Sequence, residues 1–291
     1  MSNIKNLLEN YRDYPLEVTI ETTGRCNGRC VFCPHHELER KKLEMSDDMF
    51  RLIIDQLKAI PQTHYFYISP FKVNELLMDK QIFSRINYIN QCLPNAYIRL
   101  FSNFNLATAG DIKEICRIRN LSDINISLNS LDGKEYEMLM GLELDKTKQN
   151  IFTLLEYIRK NGIRMQSQKI VLSRVAQNPD SDRQYLQQFS TVFQDYADLV
   201  APSMIVRQEW IDFLPSETPL NQDQPCARWA DINICCNGIV AFCCMDGRGA
   251  FAWGNILENS ALEIYNQPAY RSLRINHPNK SQIMPCRHCS Q

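Results

Sequence analysis

The chain has 291 residues, 44% of them hydrophobic and 22% charged, and its 32 basic and 33 acidic side chains leave a net charge of -1. A chain of that size buries a core without disulfide staples, and the balance excludes both a disordered chain and a nucleic-acid binder working by bulk positive charge. The excess that needs explaining is the 12 cysteines.

Residues 1–14 are polar and charged, with no apolar run of signal-peptide length, and no later stretch approaches the roughly 18 apolar residues of a spanning helix. The sequence therefore reads as soluble and cytoplasmic, with neither a membrane nor nucleic acid as partner. In a reducing compartment, clustered cysteines more often bind metal or exchange electrons than form structural disulfides.

Between residue 16 and about 206, β-rich runs alternate with helical patterns. Candidate strands cover 16–23, 64–70, 97–103, 123–129, 164–173 and 198–206, each rich in Ile, Val, Tyr or Phe. Met49, Leu52, Ile53, Leu57 and Ile60 repeat at helical spacing behind a Ser46-Asp47 cap; Ile151, Leu154, Leu155 and Ile158 do so ahead of Asn161-Gly162. This alternation implies an α/β fold with a parallel sheet and right-handed crossovers, open or curved into part of a barrel.

Beyond 206, Pro215, Pro219 and Pro225 interrupt the pattern. Asn237-Gly238, between β-rich runs at 231–236 and 239–244, predicts a hairpin with 236 opposite 239. That register puts Cys236, Ile239, Ala241 and Cys243 on one face and Cys235, Val240, Phe242 and Cys244 on the other. A short helix over 260–275 follows, then Pro285-Cys286-Arg287-His288-Cys289. The predicted organisation is two domains, 1–210 and 211–291.

Cys26, Cys30 and Cys33 form C-x3-C-x2-C directly after the first predicted strand, at the end of a parallel sheet where ligands bind. Structural zinc takes four protein ligands, whereas three thiolates leave one iron of a [4Fe-4S] cluster open to a small molecule. Cys226, Cys243, Cys286 and Cys289 make a second set, which a hairpin and helix can fold together for zinc or an iron-sulfur cluster.

The run Cys26-Asn27-Gly28-Arg29-Cys30-Val31-Phe32-Cys33 resembles the signature of the radical S-adenosylmethionine (SAM) superfamily, including the aromatic Phe32. The resemblance implies a partial (β/α)6 TIM-like barrel, a [4Fe-4S] cluster that binds SAM, and reductive cleavage to a 5'-deoxyadenosyl radical that takes hydrogen from substrate. It implies an electron donor such as flavodoxin or ferredoxin. Where the family carries Gly-Gly-Glu this chain has Val73-Asn74-Glu75, so Glu75, with Asn74 beside it, stands at the SAM amino group. Ser102-Asn103, followed by Phe104, stands where Thr-Asn-Gly is usual. Ser127 and Asn129 lie two apart, hence on one strand face, and resemble ribose-contacting positions. Arg174 resembles a partner for the SAM carboxylate.

Residues 226–289, with Trp229, Gly238, Cys243-Cys244, Asp246, Gly254-Asn255-Ile256 and the last C-x2-C, resemble the SPASM/twitch appendage of these enzymes. The match is to the shorter twitch form, which implies one auxiliary [4Fe-4S] cluster. Cys243 is chosen from a Gly-x4-Cys match; a slip of one residue would choose Cys244.

Cys92 and Cys116 read as small core residues, while Cys235, Cys236 and Cys244 are candidate hydrogen donors, as thiols serve in related epimerases, or else hairpin packing. His35 and His36 follow the motif as active-site or solvated residues, and Asp246, Trp210 and Trp229 are possible substrate contacts. Arg40-Lys41-Lys42 reads as a solvated face.

The resemblance implies oxidoreductase-type chemistry in natural-product biosynthesis, on either of two substrates. One is a ribosomally made peptide, epimerised, crosslinked or rearranged. About 15 residues before the first strand are too few for a leader-peptide-binding domain, so a separate protein would present it. The other is an aminocyclitol or sugar, oxidised or epimerised. A non-catalytic iron-sulfur or zinc scaffold is a third, minor reading.

Overall fold

The structure, a computed structural model, describes residues 2–163, 169–205, 210–211, 222–287 and 289. Its centre is a sheet of nine strands: β1 Glu17–Ile20, β2 Phe66–Ser69, β3 Ala96–Ser102, β4 Leu121–Ser127, β5 Ile170–Val175, β6 Val200–Ile205, β7 Asp231–Ile234, β8 Ile239–Ala241 and β9 Gly254–Asn255. Their spatial order is β6-β5-β4-β3-β2-β1-β7-β8-β9. The first six run parallel, joined by helices including Asp47–Leu57, Ile82–Cys92, Ala109–Ile115, Leu144–Asn161 and Pro179–Val192. This is the α/β partial-barrel arrangement that the alternation predicts. The first five residues of the fifth predicted strand, and Val206 of the sixth, lie outside the described residues, as do Pro215, Pro219 and His288.

Local chemistry sets the helix ends. Ser46 accepts from Met49 N at 3.2 Å to start Asp47–Leu57, and Gly162, at φ 60°, ends Leu144–Asn161 in the left-handed conformation that glycine adopts without steric cost. Among the described residues no helix is long and apolar enough to cross a membrane.

The strands alternate because the two faces of the sheet differ. Val18, Ile68, Ile98, Leu100, Ile124, Ile126 and Leu172 point outward and are buried under helix residues such as Ile53, Leu57, Ile89, Leu154 and Leu155. Each contributes roughly 1.5–3 kcal/mol by leaving water. The inner face is polar. Arg99 donates to Glu17 at 3.0 Å and to Asp123 at 3.1 Å, Ser69 donates to Glu17, Thr19 donates to Asn233 at 2.9 Å, and Ser173 donates to Asn125 at 2.8 Å.

The C-terminal hairpin continues this sheet. β7 pairs in parallel with β1, Glu17 opposite Asp231 and Thr19 opposite Asn233, and β8 returns antiparallel. The hairpin register corrects the sequence expectation by one residue. Asn233 faces Ala241 and Ile234 faces Val240, and Cys235 N donates to Ile239 O at 2.8 Å. The turn is therefore the three residues Cys236, Asn237 and Gly238, with Gly238 at φ 85°. Cys235, not Cys236, shares a face with Ile239 and Ala241.

Asp231, opposite Glu17, is buried with its Oδ1 unpartnered, and Arg228 lies 3.4 Å away. Burial, only partly offset by Arg228, pushes its carboxyl up to about 7, and the charge of Glu17 adds to the rise. The folded state holds a proton that the unfolded chain gives up near 4, so this group's contribution is complete at acid pH and is lost as pH rises through about 7. Asp231→Asn is expected to flatten the decline in melting temperature between pH 5 and pH 8 and to melt above wild type at pH 8, by at most about 4 kcal/mol. Melting below wild type at pH 8 would contradict the assignment.

Candidate active site

The loop after β1 carries Cys26, Cys30 and Cys33, all half-buried. Its backbone is clamped to the end of helix Gly133–Met140: Arg29 N donates to Met140 O at 2.8 Å and Val31 N to Leu139 O at 3.0 Å. Gly28 sits between two of the thiols. A Cβ there would lie 3.5 Å from Cys30 Sγ and 3.6 Å from Cys26 Sγ, so any longer side chain would enter the space that they enclose. Burial pushes Cys26 up to about 12 and Cys33 up to about 11, with Glu75 adding to the first. Burial also raises Cys30, as do the charges of Cys33 and Cys26.

Three thiols that resist ionisation, two of them flanking a glycine, fit a cationic group whose binding expels their protons. Among the described residues no three His, Cys, Asp or Glu side chains converge enough to hold a single metal ion. A cluster takes its ligands on separate irons, and three thiolates leave one iron open.

These thiols form one wall of a cavity of about 200 Å³ that opens over the C-terminal ends of the parallel strands. Glu75 is its acidic group. It accepts from Ser102 Oγ at 2.6 Å, Asn103 N at 2.7 Å and Leu77 N at 3.1 Å. Burial raises its pKa and those three bonds oppose the rise. Asn103 also donates to Asn27 at 2.8 Å, tying the end of β3 to the cysteine loop.

Phe104 occupies the place where the signature has glycine and keeps a left-handed backbone, φ 59°. Its amide donates to Ser102 Oγ at 2.8 Å, and its ring is buried. Val73 and Asn74 replace glycines without strain, since neither has positive φ. Asn74 Oδ1 accepts from Lys72 N at 2.8 Å, while its Nδ2 is buried without a partner.

Phe32, Asn74, Glu75, Ser102, Asn103, Ser127 and Asn129 all line this cavity. Asn129 also bridges strands, accepting from Val175 N at 2.7 Å. Arg174 is the cofactor-contact expectation that the structure contradicts. It follows Ser173 on β5 and so points to the outer face. There its buried guanidinium donates to Asp182 at 2.9 Å, Glu135 at 3.1 Å, Ser181 and Asn129 O. Sequence reasoning missed Asn125, Ser173 and Phe101, which the same alternation places inside, and Phe71 and Lys72, for which no signal exists. Phe71 and Phe101 stack with centroids 5.1 Å apart. Trp210 donates to Phe32 O at 2.9 Å and closes one side.

Cys226, Cys243, Cys286 and Cys289 of the second set are neighbours pair by pair. Burial and the neighbouring Cys289 and Cys244 push Cys226 up to about 11. Burial, Cys226 and Cys289 push Cys286 to about 12. Cys243 is raised by burial and by Cys244, Cys286 and Cys226. Gln222 donates to the carbonyls of Cys286 and Cys289, both at 3.3 Å. Cys244 is held among Arg228, Asp231 and Lys72.

Cys235, Cys236 and Cys244 are not among the described residues that line the cavity. Cys235 is buried, 3.6 Å from the Cβ position of Gly249. Cys236 N donates to Glu21 at 3.1 Å.

While Lys42 is exposed as expected, Arg40 departs from the reading of its run as a solvated face. It is buried in a two-point pair with Glu21, at 2.6 and 3.1 Å, and donates to Gly247 O at 2.6 Å and Arg248 O at 3.0 Å. Glu21 also accepts from Val73 N at 3.3 Å. This pair joins the cysteine loop, the end of β2 and the hairpin.

A model of the radical SAM superfamily matches residues 20–173, more than half of the chain. The chain belongs to the radical SAM superfamily. In this radical SAM chain a second model, an iron-sulfur cluster-binding domain named SPASM, matches residues 226–290. Sequence comparison with curated proteins finds no match.

Three solved structures share its fold. SuiB of Streptococcus suis bound to precursor peptide SuiA superposes with TM-score 0.66 at 16% identity, over 97% of this chain and 72% of that one. The enzyme anSMEcpe with AdoMet and Cp18Cys peptide gives 0.64 at 11%, over 94% and 87%. BtrN in complex with AdoMet and 2-DOIA gives 0.56 at 15%, over 95% and 93%. The radical SAM and SPASM matches make this chain an enzyme that uses SAM and iron-sulfur clusters, one of them auxiliary.

Proposed function

We propose that this radical SAM enzyme modifies a ribosomally synthesised peptide, by epimerisation, crosslinking or backbone rearrangement, with a barrel unit at 1–210 and an auxiliary unit at 211–291. The observation that carries the reading is the cavity's position: one wall is the three-thiol loop, and Lys72 links its rim to the auxiliary unit through Asp246 O. The closer superposition on the two peptide-bound structures, compared with BtrN, supports the same direction.

In this reading Cys26, Cys30 and Cys33 hold the SAM-binding cluster, and Cys226, Cys243, Cys286 and Cys289 hold the auxiliary one. When bound, the first cluster and SAM supply the 5'-deoxyadenosyl radical. Glu75, fixed by Ser102 and the Asn103 amide, presents its carboxylate to the SAM amino group. Asn74 offers a free amide N–H, and Ser127 and Asn129 take the ribose side. Phe32, Phe71 and Phe101 exclude water from the reacting centre. A flavodoxin or ferredoxin supplies electrons, and a separate protein presents the peptide leader.

The nearly complete mutual coverage with BtrN favours, as a second reading, an aminocyclitol or sugar substrate. The test is to reconstitute the enzyme anaerobically and add SAM, dithionite and either a candidate precursor peptide, sought among short reading frames beside the gene, or an aminocyclitol. Peptide-dependent 5'-deoxyadenosine with a changed peptide mass, or deuterium gained from heavy water, is the expected result. Stimulation by the aminocyclitol alone would reverse the order of the readings.

A further inference from the structure

Lys72 stands apart in the cavity wall. Among the described residues that line it, Lys72 is the single cationic side chain, and it is buried, 3% exposed. Its Nζ donates to the carbonyl oxygen of Asp246 at 2.6 Å and has no carboxylate partner among the described residues. An ammonium has three protons to donate, and burying it with one neutral acceptor is costly unless an anion completes the shell. The cavity's acidic group does not serve, because the oxygens of Glu75 accept from Ser102, Asn103 and Leu77 and no bond joins them to Lys72. A second donor points the same way: Asn74, also lining the cavity, keeps a buried Nδ2 without a partner. The tie to Asp246 directs Lys72 toward the hairpin side of the cavity.

We infer that Lys72 anchors a carboxylate of the substrate. Resting on the peptide reading above, this names the peptide class: one carrying an acidic group, a Glu or Asp side chain or a free C-terminus, close to the residue that is modified. A charge-assisted bond to a buried ammonium discriminates strongly between an acid and its amide.

The test uses the reconstituted holoenzyme saturated with SAM and measures binding by calorimetry. The probes are acetyl-Ala-Glu-Ala-amide, its Gln counterpart, the Gln peptide with a free C-terminal carboxylate, and glutarate beside its diamide. The expected result is at least tenfold tighter binding of one acidic peptide than of its neutral counterpart. Which of the two acidic peptides it is identifies the source of the carboxylate. Lys72→Met should erase that ratio, Lys72→Arg should retain part of it, and both variants should keep the wild-type iron content and SAM affinity.

A ratio near one in wild type for every acid and amide pair overturns the inference. So does a ratio that survives in Lys72→Met, or a tenfold loss of SAM affinity in that variant, which would give Lys72 to the cofactor. Lys72-dependent binding of glutarate but of no peptide would keep the carboxylate anchor and defeat the peptide reading instead. A lysine that merely ties the wall to Asp246 would alter stability and leave the acid-to-amide ratio unmoved.

Discussion

Replacing Cys30 with alanine is expected to abolish 5'-deoxyadenosine formation, by at least about a thousandfold, and to lower the iron content from about eight to about four atoms per chain. The site offers no substitute ligand. Cys26 and Cys33 are the neighbouring thiols, and the nearest acidic group, Glu75, is held by three hydrogen bonds. The thiol that is removed is one whose ionisation burial and its two partners oppose, so cluster binding is what fixes its charge state. The barrel core is untouched by the change, since Cys30 is half-buried in a loop whose backbone bonds to Leu139 and Met140 remain. The variant should therefore stay folded, with the auxiliary iron in place. Iron analysis with a chromatographic assay of SAM cleavage decides it, and retained cleavage would sink the assignment.

The second large effect separates Cys243 from Cys244. Cys243→Ala should lose about four irons, keep SAM cleavage and reduce product formation by about a hundredfold or more, while Cys244→Ala should keep its iron. Burial and the nearby Cys244, Cys286 and Cys226 raise the Cys243 thiol, which sets it beside two other members of the four-thiol group. Cys244 also neighbours Cys226 and Cys243, but it has Arg228, Asp231 and Lys72 around it as well. Its loss leaves a small gap among charged neighbours but removes no member of the group. Iron content measured on both variants tests the pair, and iron lost from Cys244→Ala alone would exchange their roles.

Much of the fold was legible because the inner face of the sheet is polar. A parallel sheet buried on both sides reads as continuous apolar runs, but Leu121–Ser127 alternates, with Asp123 and Asn125 inside and Ile124 and Ile126 outside. The same period of two that put Ser127 and Asn129 in the cavity also put Arg174 on the wrong side for it, next to Asp182 and Glu135. That rule was available from the sequence and overrode the likeness to a carboxylate-binding position.

The hairpin misled for a different reason. Asn237-Gly238 signals a two-residue turn, but Gly238 supplies the left-handed residue of a three-residue turn, and Asn237 Oδ1 accepts from Ile239 N at 3.4 Å. Arg40 and Lys72 were not legible at all. Their partners, Gly247 and Asp246, lie 207 and 174 residues away along the chain, and no local pattern encodes a contact at that separation.

The pairing of β7 with β1 has a consequence for how this enzyme can be dissected. A fragment cut ahead of the hairpin would strip β1 of its neighbour and leave a raw row of backbone donors and acceptors beside the three-thiol loop, a template for aggregation. Removing the auxiliary unit by truncation would thus report on solubility before it reported on chemistry. Within the intact chain, the loops bearing Cys26 and Cys243 leave the ends of strands belonging to one sheet. Any electron exchanged between the two thiol groups therefore passes between loops anchored to one continuous set of backbone ladders.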